Sequence, residues 1–532
     1  MKPYQKFDAL ANGKIDAFVT RHNIDKNYRT YRPQKNFGDL SFDFQRSNLE
    51  LDENEIAALS DQYMTFSAVG KFINISYNNQ EFSKTVLENG ISGELYRFEG
   101  RKDKILIEHT SANPTGPLHI GRVRNSIIGD TLSRILSKYG YRVTTEYYVN
   151  DIGTQVEALL LGTEIFGKEN YTESYRRIYE DFDSYKAKVE EYMIRAESGD
   201  SQFLETSRER LEVFLRDVLT DLERLSIRFD FFIWESEFIL NGSVREIITK
   251  LTPLLKDDNG AKYIESGKDK MYLIRSNGTS VYFTRDIAHH LKKSSEYDNS
   301  ITVLGEDHKS YFKKIDTAME ILGVHNVHAL FYSYISTKEG KMSTRRGNVV
   351  YVRDFIDEAI ERAREEVLKR RTDLSEDEVS EISNRIGIAA VRYHIIKYSP
   401  DKPVTFDWQE ALNFEGDAAP FVMYSYARSK SILSKLDKET ELVWKFNEPE
   451  GALLKEIARF PEVVEDAVRH SRPDKIARYS YELASAFNQF YRDCPVLDSG
   501  EHFQKRIEIV RTFTKTMEEL FQMLGIQASD KI

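Results

Sequence analysis

The sequence predicts a multidomain α/β protein in which a parallel-sheet region lies between a mixed α+β segment and a helical segment. The chain of 532 residues is too long for one hydrophobic core. Residues 104–149 follow the order strand, loop, helix, strand, which predicts a βαβ unit with two parallel strands. From Asp354 onward almost every segment has helical periodicity.

The composition excludes several classes of protein. The 27 glycines and 12 prolines are too few for a fibrous or low-complexity chain. Cys494 is the single cysteine, which excludes an intrachain disulfide and a multi-cysteine zinc site. Residues 1–14 carry no apolar signal segment, and no apolar run is long enough to span a membrane. We therefore expect a cytoplasmic protein without a membrane partner.

Individual elements are assigned from periodicity and turn residues. The first assignments are a helix over 3–19, a loop over 33–39, a strand over 71–76, a strand over 104–109, a loop over 111–118, a helix over 119–139 and a strand over 142–149. Later assignments are a pair of helices over 173–227 with a break at 198–200, strands over 280–283, 300–305 and 328–336, and helices from 354 with breaks near 399–400, 448–449 and 495–500.

The most informative segment is KILIEHTSANPTGPLHIGRVRN, residues 104–125. A strand ends in a Pro/Gly loop, and the next helix opens with His119-Ile120-Gly121. The free amides of a helix N-terminus suit a phosphate chain, and Gly121 would let a nucleotide approach the backbone. His119 could donate to a phosphate oxygen. The alternative is a loop with a surface histidine, because a three-residue match is weak alone.

A second segment, KEGKMSTRRGNVV, covers residues 338–350. Gly340 and Gly347 bracket a loop with three cationic side chains and one hydroxyl, and such a loop can close on a triphosphate. The alternative is a solvated charged loop. Both segments follow strands of the same α/β region, so the pair is stronger evidence than either alone. The cations are Lys341, Arg345 and Arg346, and the hydroxyl belongs to Ser343.

With both segments, the chain resembles the class I aminoacyl-tRNA synthetases, and specifically the arginyl-tRNA synthetases. HIGR at 119–122 is similar to the HIGH motif of that family, and KMST at 341–344 is similar to its KMSKS loop. Arg122 and Thr344 depart from the usual residues, and Arg345 or Arg346 would supply the missing charge. Further similar segments are NFGD at 36–39, YVNDIGTQ at 148–155, GTSVY at 278–282, RDIAH at 285–289, APF at 419–421 with Tyr424, and FNQFY at 487–491.

The resemblance implies a Rossmann-like parallel-sheet class I catalytic domain with a module on each side. The implied domains are an N-terminal α+β module for the tRNA D-loop over 1–98, a catalytic domain over 99–410 and an all-α anticodon-binding bundle over 411–532. The catalytic domain would contain a helical insertion at about 156–228 and the KMSKS-type loop at 338–348.

The resemblance also implies a pocket for arginine. A guanidinium is planar and permanently charged, so a selective pocket needs carboxylates. Glu108 and Asp286 match the positions that pair with it, and Tyr282 adds a hydroxyl; Tyr282 and Asp286 would share a face of a helix. The alternatives are an ordinary ion pair for Glu108 and a core aromatic for Tyr282. The remaining matches for arginine are Ser111, Asn113, His119 and His308, and those lining the site are Asp151 and Gln155.

ATP is implied as a substrate, with Mg²⁺ bridging its phosphates and no metal held by the protein, zinc included. The arginine carboxylate would attack the α-phosphorus, and arginine would then pass to the 2′-hydroxyl of the terminal adenosine, with activation dependent on tRNA. The implied ATP contacts are Pro117, His119, Gly121, Asn125, Gly305, Asp307, Lys341 and Met342. The implied catalytic groups are His119, Gly121, Arg122, Lys341, Ser343, Arg345 and Arg346.

The implied macromolecular partner is tRNA(Arg), bound by a monomer. The net charge of −11 gives no general indication of RNA binding, so local basic faces would be needed. Phe72 and Asn74 match positions that hold a D-loop base, although they also suit a strand core and a turn; Asn488 and Tyr491 match anticodon contacts. Two other classes stay open: a catalytically silent paralogue, and a synthetase or nucleotidyltransferase with another substrate.

Overall fold

The computed structural model describes residues 1–24, 28–33, 37–46, 50–113, 116–167, 171–267, 269–337, 350–436 and 440–532. The second motif and its flanks, residues 338–349, lie outside these ranges, as does Asn36. The expectations for the loop concern Gly340, Lys341, Met342, Ser343, Thr344, Arg345, Arg346 and Gly347, and they stay predictions.

The first region is an antiparallel sheet packed against helices. Its elements are α1 (Pro3–Arg21), β1 (Arg29–Tyr31), β2 (Leu40–Asp43), α2 (Glu53–Ala57), β3 (Met64–Val69), β4 (Phe72–Tyr77) and α3 (Asn79–Ile91). The strand order is β1-β2-β4-β3. Phe7 of α1 packs 5.1 Å from the ring of Tyr77 on β4, which joins helix and sheet in one core. The predicted first helix and the predicted strand over 71–76 are confirmed.

The central region begins with the predicted βαβ unit, which is confirmed. Its elements are β5 (Lys104–Glu108), α4 (Ile120–Tyr139) and β6 (Arg142–Val149), and β5 pairs with β6 in parallel. β5 has four consecutive buried residues, as expected for a strand covered on both faces. Gly140, with a φ of 108°, ends α4 in the left-handed conformation that favours glycine.

Four helices follow β6: α5 (Thr154–Phe166), α6 (Tyr171–Glu180), α7 (Phe182–Glu197) and α8 (Ser201–Arg224). The predicted pair of helices over 173–227 is therefore wrong, because three helices occupy that stretch. The predicted break at 198–200 is confirmed, and Asp200 caps α8 by accepting a hydrogen bond from the backbone N–H of Phe203 at 3.1 Å. The additional break at Asp181 carries neither glycine nor proline, so the sequence pattern gave no sign of it.

The parallel sheet then resumes, and a small antiparallel sheet that was not predicted lies in the chain before the last two strands of the parallel sheet. The elements are β7 (Phe231–Trp234), α9 (Glu237–Leu240), α10 (Ser243–Leu251), β8 (Lys256–Asp258), β9 (Ala261–Ser266), β10 (Asp269–Ile274), α11 (Tyr282–Glu296), β11 (Asn299–Gly305), α12 (Lys309–Ile321), β12 (Val327–Tyr332) and β13 (Ile335–Thr337). β8, β9 and β10 form the small sheet. β7, β11 and β12 complete a parallel sheet with the order β12-β11-β5-β6-β7.

Two predicted strands in this stretch need correction. The strand over 280–283 is wrong, because Val281 caps a helix that begins at Tyr282. The Val-Tyr-Phe run favours a strand by propensity, but Phe283 is buried as part of α11 in a core that includes α10 and α12. The strand over 328–336 is two strands, because Ser333 and Tyr334 interrupt it and β13 belongs to a different sheet. The strand over 300–305 is confirmed.

The last region is helical, as predicted, apart from one short strand that pairs with β13. Its elements are α13 (Val352–Arg370), α14 (Glu376–Ile396), β14 (Val404–Phe406), α15 (Trp408–Ala411), α16 (Ala419–Leu433), α17 (Glu448–Ala458), α18 (Phe460–His470), α19 (Asp474–Asp493) and α20 (Phe503–Leu524). The breaks near 399–400 and 495–500 are confirmed. Glu448 and Pro449 are the first turn of α17, capped by Asn447, so that break lies before them.

The first region of the chain packs against the helical region. The hydroxyl of Tyr96 donates to the backbone oxygen of Thr512 at 2.9 Å within a buried contact. Lys455 forms an ion pair with Asp39 at 2.9 Å, and Arg32 reaches Glu462 at 2.8 Å. None of the helices that the structure describes combines the length and apolarity needed to cross a bilayer.

Candidate active site

A cleft lies at the carboxyl end of the parallel sheet. The chain first adds β6 and β7 on one side of β5 and later adds β11 and β12 on the other, so its direction reverses between β5 and β11. Ligands of open α/β sheets bind at such a switch point. The cleft has a volume of about 960 Å³, and the sequence-predicted residues that line it are Glu108, Ser111, Asn113, Gly121, Arg122, Asn125, Tyr282, Asp286, Gly305, Asp307 and His308.

The HIG segment is joined by backbone hydrogen bonds to the chain that leaves the second motif. The N–H of Ile120 donates to the carbonyl of Val350 at 3.0 Å, and the N–H of Val352 donates to the carbonyl of Leu118 at 2.8 Å. His119 and Tyr351 therefore form an antiparallel bridge. Val350 is the first described residue after the second motif, and this contact places it beside the start of α4.

His119 is the N-cap residue of α4, and its ring lies against Gly121. A Cβ atom on Gly121 would lie 3.0 Å from both Cε1 and Nδ1 of that ring. The ring can lie this close because glycine has no side chain. Burial, with the charge of Arg122 adding to it, lowers the pKa of His119. The imidazole is thus neutral at neutral pH and can donate one N–H to a ligand.

Three other predicted ATP residues, Asn125, Gly305 and Asp307, line different parts of the cleft wall, whereas His119 is not among the lining residues. The side chain of Asn125 is buried; it accepts from the N–H of Thr110 and donates to the carbonyl of Val303, both at 2.9 Å. It therefore ties the end of β5 to β11. Gly305 ends β11, and a Cβ there would lie 2.5 Å from Oδ1 of Asp307. The side chains of Asp307 and His308 are exposed. Pro117 lies in the described loop before α4 but is not among the residues lining the cleft.

Glu108, at the end of β5, is already paired with a cation. Its carboxylate contacts the ammonium group of Lys293 and accepts from the hydroxyls of Thr302 and Ser111, both at 3.1 Å. Burial raises the pKa of Glu108, but the influences that lower it, of which the positive charge of Lys293 is the largest, together outweigh burial, and the pKa falls to about 2. The carboxylate is ionised, and the positive charge of Lys293 balances its negative charge.

The carboxylate of Asp286 forms no ion pair with a cationic side chain among the described residues. The hydroxyl of Tyr311 donates to its Oδ2, and Arg285, its neighbour in sequence, is engaged by Glu235 at 2.5 Å. Burial and then the negative charge of Glu235 raise the pKa of Asp286 to about 7. Tyr282, four residues earlier, is 56% exposed and stacks on Tyr311 with ring centroids 5.3 Å apart. An exposed tyrosine beside an uncompensated carboxylate suits a cationic ligand.

Sequence reasoning missed several residues around these carboxylates. Tyr148 stacks on His289 at 4.4 Å, and His289 lies 2.5 Å from Glu146. The missed residues of α11, His289 and Lys293, had a signal. Together with the predicted Tyr282 and Asp286 they are spaced by four, three and four, so all four share one face of the helix. That face meets the ends of β5 and β6. Tyr311 had no such signal, because it comes from a different helix.

A cluster with the spacing of metal ligands lies beneath the cleft. Carboxylate oxygens of Glu108 and Glu146 and a ring nitrogen of His289 lie within 4.8 Å of one another, and all three residues are buried. Lys293 already neutralises Glu108, and His289 pairs with Glu146. Contacts with Lys293 and His289 therefore already engage the two carboxylates of this cluster.

Two other predicted residues lie around the start of α5. The amide of Asn113 donates to Oε1 of Gln155 at 3.0 Å, so the loop before α4 contacts α5 at the cleft edge. The carboxylate of Asp151 is buried and accepts from the N–H of Ser236 at 2.8 Å and from its hydroxyl at 2.5 Å. Asp151 thus binds Ser236, shortly after the end of β7, and does not line the cleft, whereas its neighbour Asn150 does.

The predicted RNA residues lie in two regions of the chain. On β4, Phe72 is half-buried, while Asn74 is buried and accepts from the hydroxyl of Ser41 at 2.8 Å. In the bundle, Asn488 accepts from Arg428 at 2.7 Å and donates to Ser425 at 2.8 Å. The guanidinium of Arg428 lies between the exposed rings of Tyr424 and Tyr491, 4.8 and 4.7 Å from their centroids.

Comparisons with known proteins identify the family of the two larger regions of the chain. Residues 85–408 match the family model of the catalytic domain of class I tRNA synthetases, R type, and residues 422–532 match the DALR anticodon-binding domain. The fold is similar to the arginyl-tRNA synthetase of Thermus thermophilus, with a TM-score of 0.85, 23% identity and coverage of 100% of both chains. A likeness to the Plasmodium falciparum enzyme covers 99% of both chains, with a TM-score of 0.82 and 17% identity.

The fold and the cleft thus define a class I aminoacyl-tRNA synthetase. Among curated proteins, the chain is 40% identical to the arginine–tRNA ligase of Thermoplasma acidophilum and 37% identical to that of Methanococcus maripaludis, over 87% of each pair of chains. The chain belongs to the arginyl-tRNA synthetase family, whose members ligate arginine to tRNA(Arg) with ATP.

Proposed function

We propose that the cleft activates L-arginine with ATP and transfers it to tRNA(Arg), with the carboxylates at the end of β5 and on α11 selecting the amino acid. The observation that carries this proposal is the face of α11 that presents Tyr282 and Asp286 toward Glu108. Asp286 lacks a cationic partner among the described side chains. A guanidinium seated there would supply the missing charge.

The two predicted carboxylates have different tasks in this proposal. Lys293 balances Glu108, so Glu108 contributes hydrogen-bond acceptors at the wall of the pocket more than net charge. Asp286 contributes the charge, and the exposed Tyr282 can cover the planar guanidinium. Asn113, Ser111 and His308, around the rim of the cleft, are proposed contacts for the rest of the amino acid.

Activation needs no nucleophile from the protein. The ionised carboxylate of arginine attacks the α-phosphorus of ATP in line and expels pyrophosphate, so the protein positions the reactants and stabilises charge. His119 donates its N–H to a phosphate oxygen beside the N-terminus of α4. The second motif begins after β13 and returns at Val350 next to His119, which supports a role for its cations on the leaving pyrophosphate.

Mg²⁺ is proposed to enter with ATP, carried by the phosphate oxygens. Among the described residues, the buried cluster at Glu108 has the spacing of metal ligands, but its ion pairs occupy it. When bound, Mg²⁺ would neutralise phosphate charge. The donor set offers no separate protein site, and the steps assigned to His119 and Asp286 do not depend on one.

The finer features of the reaction are proposals that rest on the resemblance. They are transfer to the 2′-hydroxyl of the terminal adenosine, dependence of activation on bound tRNA, and action as a cytoplasmic monomer. The proposed domains are 1–98 for the tRNA D-loop, 99–410 for catalysis and 411–532 for the anticodon. In support, the ring of Tyr491 and the guanidinium of Arg428 present an exposed stacking surface of the kind that binds unpaired bases.

Aminoacylation of a tRNA(Arg) transcript with each of the twenty amino acids tests this function. We expect stable, ATP-dependent esterification with arginine and none with lysine, because an ammonium group cannot match two carboxylate oxygens as a planar guanidinium can. Charging of a different amino acid would contradict the pocket assignment. Folded protein that binds tRNA but charges nothing would favour the silent paralogue.

A further inference from the structure

Tyr311, in the first turn of α12, contacts both predicted arginine-binding residues of α11. Its hydroxyl donates to Oδ2 of Asp286, and its ring stacks on Tyr282 with an interplanar angle of 30°. The other side of the ring meets Phe283 edge-on, with centroids 6.0 Å apart. Burial raises the pKa of Tyr311 far above its usual range, so the hydroxyl keeps its proton and acts as a donor.

The surroundings of Asp286 explain why this donor matters. Negative charge faces it from Glu235, after β7, and from Glu108, at the end of β5; both raise its pKa. The positive charge of Arg285 is shared with Glu235 at 2.5 Å and Glu197 at 3.8 Å. The phenol of Tyr148, on β6, is buried without a hydrogen-bond partner among the described residues. Tyr311 is thus the described side chain that donates a hydrogen bond to Asp286.

The stacking contact fixes a second group. Tyr282 is 56% exposed, so little of its ring is packed by its own helix. A stacked neighbour restricts the rotamers of an exposed aromatic ring. Because one side chain holds both Tyr282 and Asp286, their separation is set by α12 as well as by the spacing along α11.

We propose that Tyr311 is a positioning residue for arginine selection, which orients the Asp286 carboxylate through its hydroxyl and the Tyr282 ring through stacking. This proposal rests on the proposed function, since it assumes that arginine occupies the cleft. A hydrogen bond to the ionised carboxylate favours the form that binds a guanidinium. Loss of the hydroxyl should therefore weaken arginine binding without affecting ATP.

The test compares Tyr311→Phe, which keeps the ring, with Tyr311→Leu, which loses both contacts. For Tyr311→Phe we expect the KM for arginine to rise about tenfold while kcat and the KM for ATP stay within about twofold, as for loss of one hydrogen bond to a charged group. The rising limb of log kcat/KM for arginine should move to higher pH, because Asp286 loses a donor to its ionised form. Tyr311→Leu should raise the KM further.

The matched control is Tyr192→Phe, which removes another tyrosine–carboxylate hydrogen bond, to Glu164 at 2.7 Å, in the helical insertion. This variant should leave the KM for arginine and the pH profile unchanged. If the wild type uses arginine and Tyr311→Phe has the same KM for arginine and the same pH profile as the wild type, only the positioning role is overturned. Wild-type enzyme without arginine-dependent activity would overturn the proposed function itself. A Tyr311→Phe loss confined to kcat, with melting lowered, would show a merely structural role and also overturn the proposal.

Discussion

Lys293 and Glu108 form a buried ion pair in the floor of the cleft, where Lys293 is 1% and Glu108 is 7% exposed. The two residues are 185 positions apart in the chain, and β5 and α11 bring them together. The pair makes one of two neighbouring acidic groups electrically neutral. Next to this neutral pair, the cleft offers the carboxylate of Asp286, which has no cationic partner among the described side chains, to a monovalent guanidinium.

Removing the cation should destabilise the protein in a pH-dependent way. Lys293→Met leaves Glu108 buried without its partner, which we expect to lower the free energy of unfolding by about 3–5 kcal/mol at pH 8. The folded-state pKa of Glu108 in the wild type is depressed to about 2, so its stabilising effect is present above the unfolded value and is lost as pH falls from about 4.5 toward 2. Urea unfolding at pH 8 measures the destabilisation, and urea unfolding of the wild type between about pH 4.5 and pH 2 measures the loss of the stabilising effect.

The double variant Lys293→Met/Glu108→Gln is the control for that prediction. Because no buried charge is left, it should recover most of the lost stability. The difference between wild type and Lys293→Met should also narrow at pH 5, since an unpaired buried Glu108 takes up a proton more readily. Equal destabilisation at both pH values, with no recovery in the double variant, would contradict the ion pair.

The pH dependence of arginine use should report Asp286. Its folded-state pKa is raised to about 7, so the carboxyl group is protonated below that pH and binds the guanidinium only after losing the proton. We expect kcat/KM for arginine to rise about tenfold per unit of pH below 7 and to level off above it. The pH profile for ATP, measured at saturating arginine, is the control, and an identical limb there would assign the titration to another group.

Gly121→Ala separates activity from stability. Alanine in the first turn of α4 should raise helix stability by about 0.5–1 kcal/mol. Its Cβ would lie 3.0 Å from the His119 ring, which must then move. We expect kcat to fall by about 10- to 100-fold, because a small displacement of a reacting group is costly. The control is Gly13→Ala in α1, where no atom lies within 4 Å of the added Cβ; unchanged kcat in Gly121→Ala would exclude the proposed role of His119.

The bundle residue Tyr491 should contribute to tRNA binding by stacking. Tyr491→Ala should weaken the affinity for tRNA(Arg) by about 1–3 kcal/mol and leave the KM for arginine unchanged. Filter binding at several salt concentrations measures this, and the affinity of both proteins should fall as salt rises. Tyr179→Ala is the matched control, since Tyr179 is also 41% exposed but lies in the helical insertion. If Tyr491→Ala and Tyr179→Ala bind tRNA(Arg) with equal affinity, the RNA does not stack on Tyr491.

The sequence predicts those parts of this site that depend on local chain geometry. His119 and Gly121 follow from one strand–loop–helix segment, where turn residues mark each boundary, whereas Glu108 of the same segment was assigned from the family resemblance. The spacing of Tyr282 and Asp286 predicted part of the α11 face. Its continuation to His289 and Lys293 was missed, because the Val-Tyr-Phe run at 281–283 favoured a strand, and tertiary packing of Phe283 decided otherwise. Lys293 and Tyr311 could not be paired with their partners from sequence, because strand order and helix packing create those contacts.

The same limit applies to Asn74 and Asp151. Each has a residue type that suits ligand binding, yet Asn74 is engaged by Ser41 and Asp151 by Ser236. Whether a polar side chain points to a ligand or to a neighbouring strand depends on the register of that strand. A single sequence does not encode this register locally.

The most direct test of the account is arginine-dependent ATP–pyrophosphate exchange by wild type and Asp286→Asn, with and without tRNA(Arg). The wild type should exchange only when arginine and tRNA are both present. Asp286→Asn keeps the shape and loses the charge, so we expect kcat/KM for arginine to fall by at least about 100-fold, as for loss of a buried charged partner. An Asp286→Asn variant with a KM for arginine within threefold of wild type and full kcat would contradict the central claim that this carboxylate selects the guanidinium.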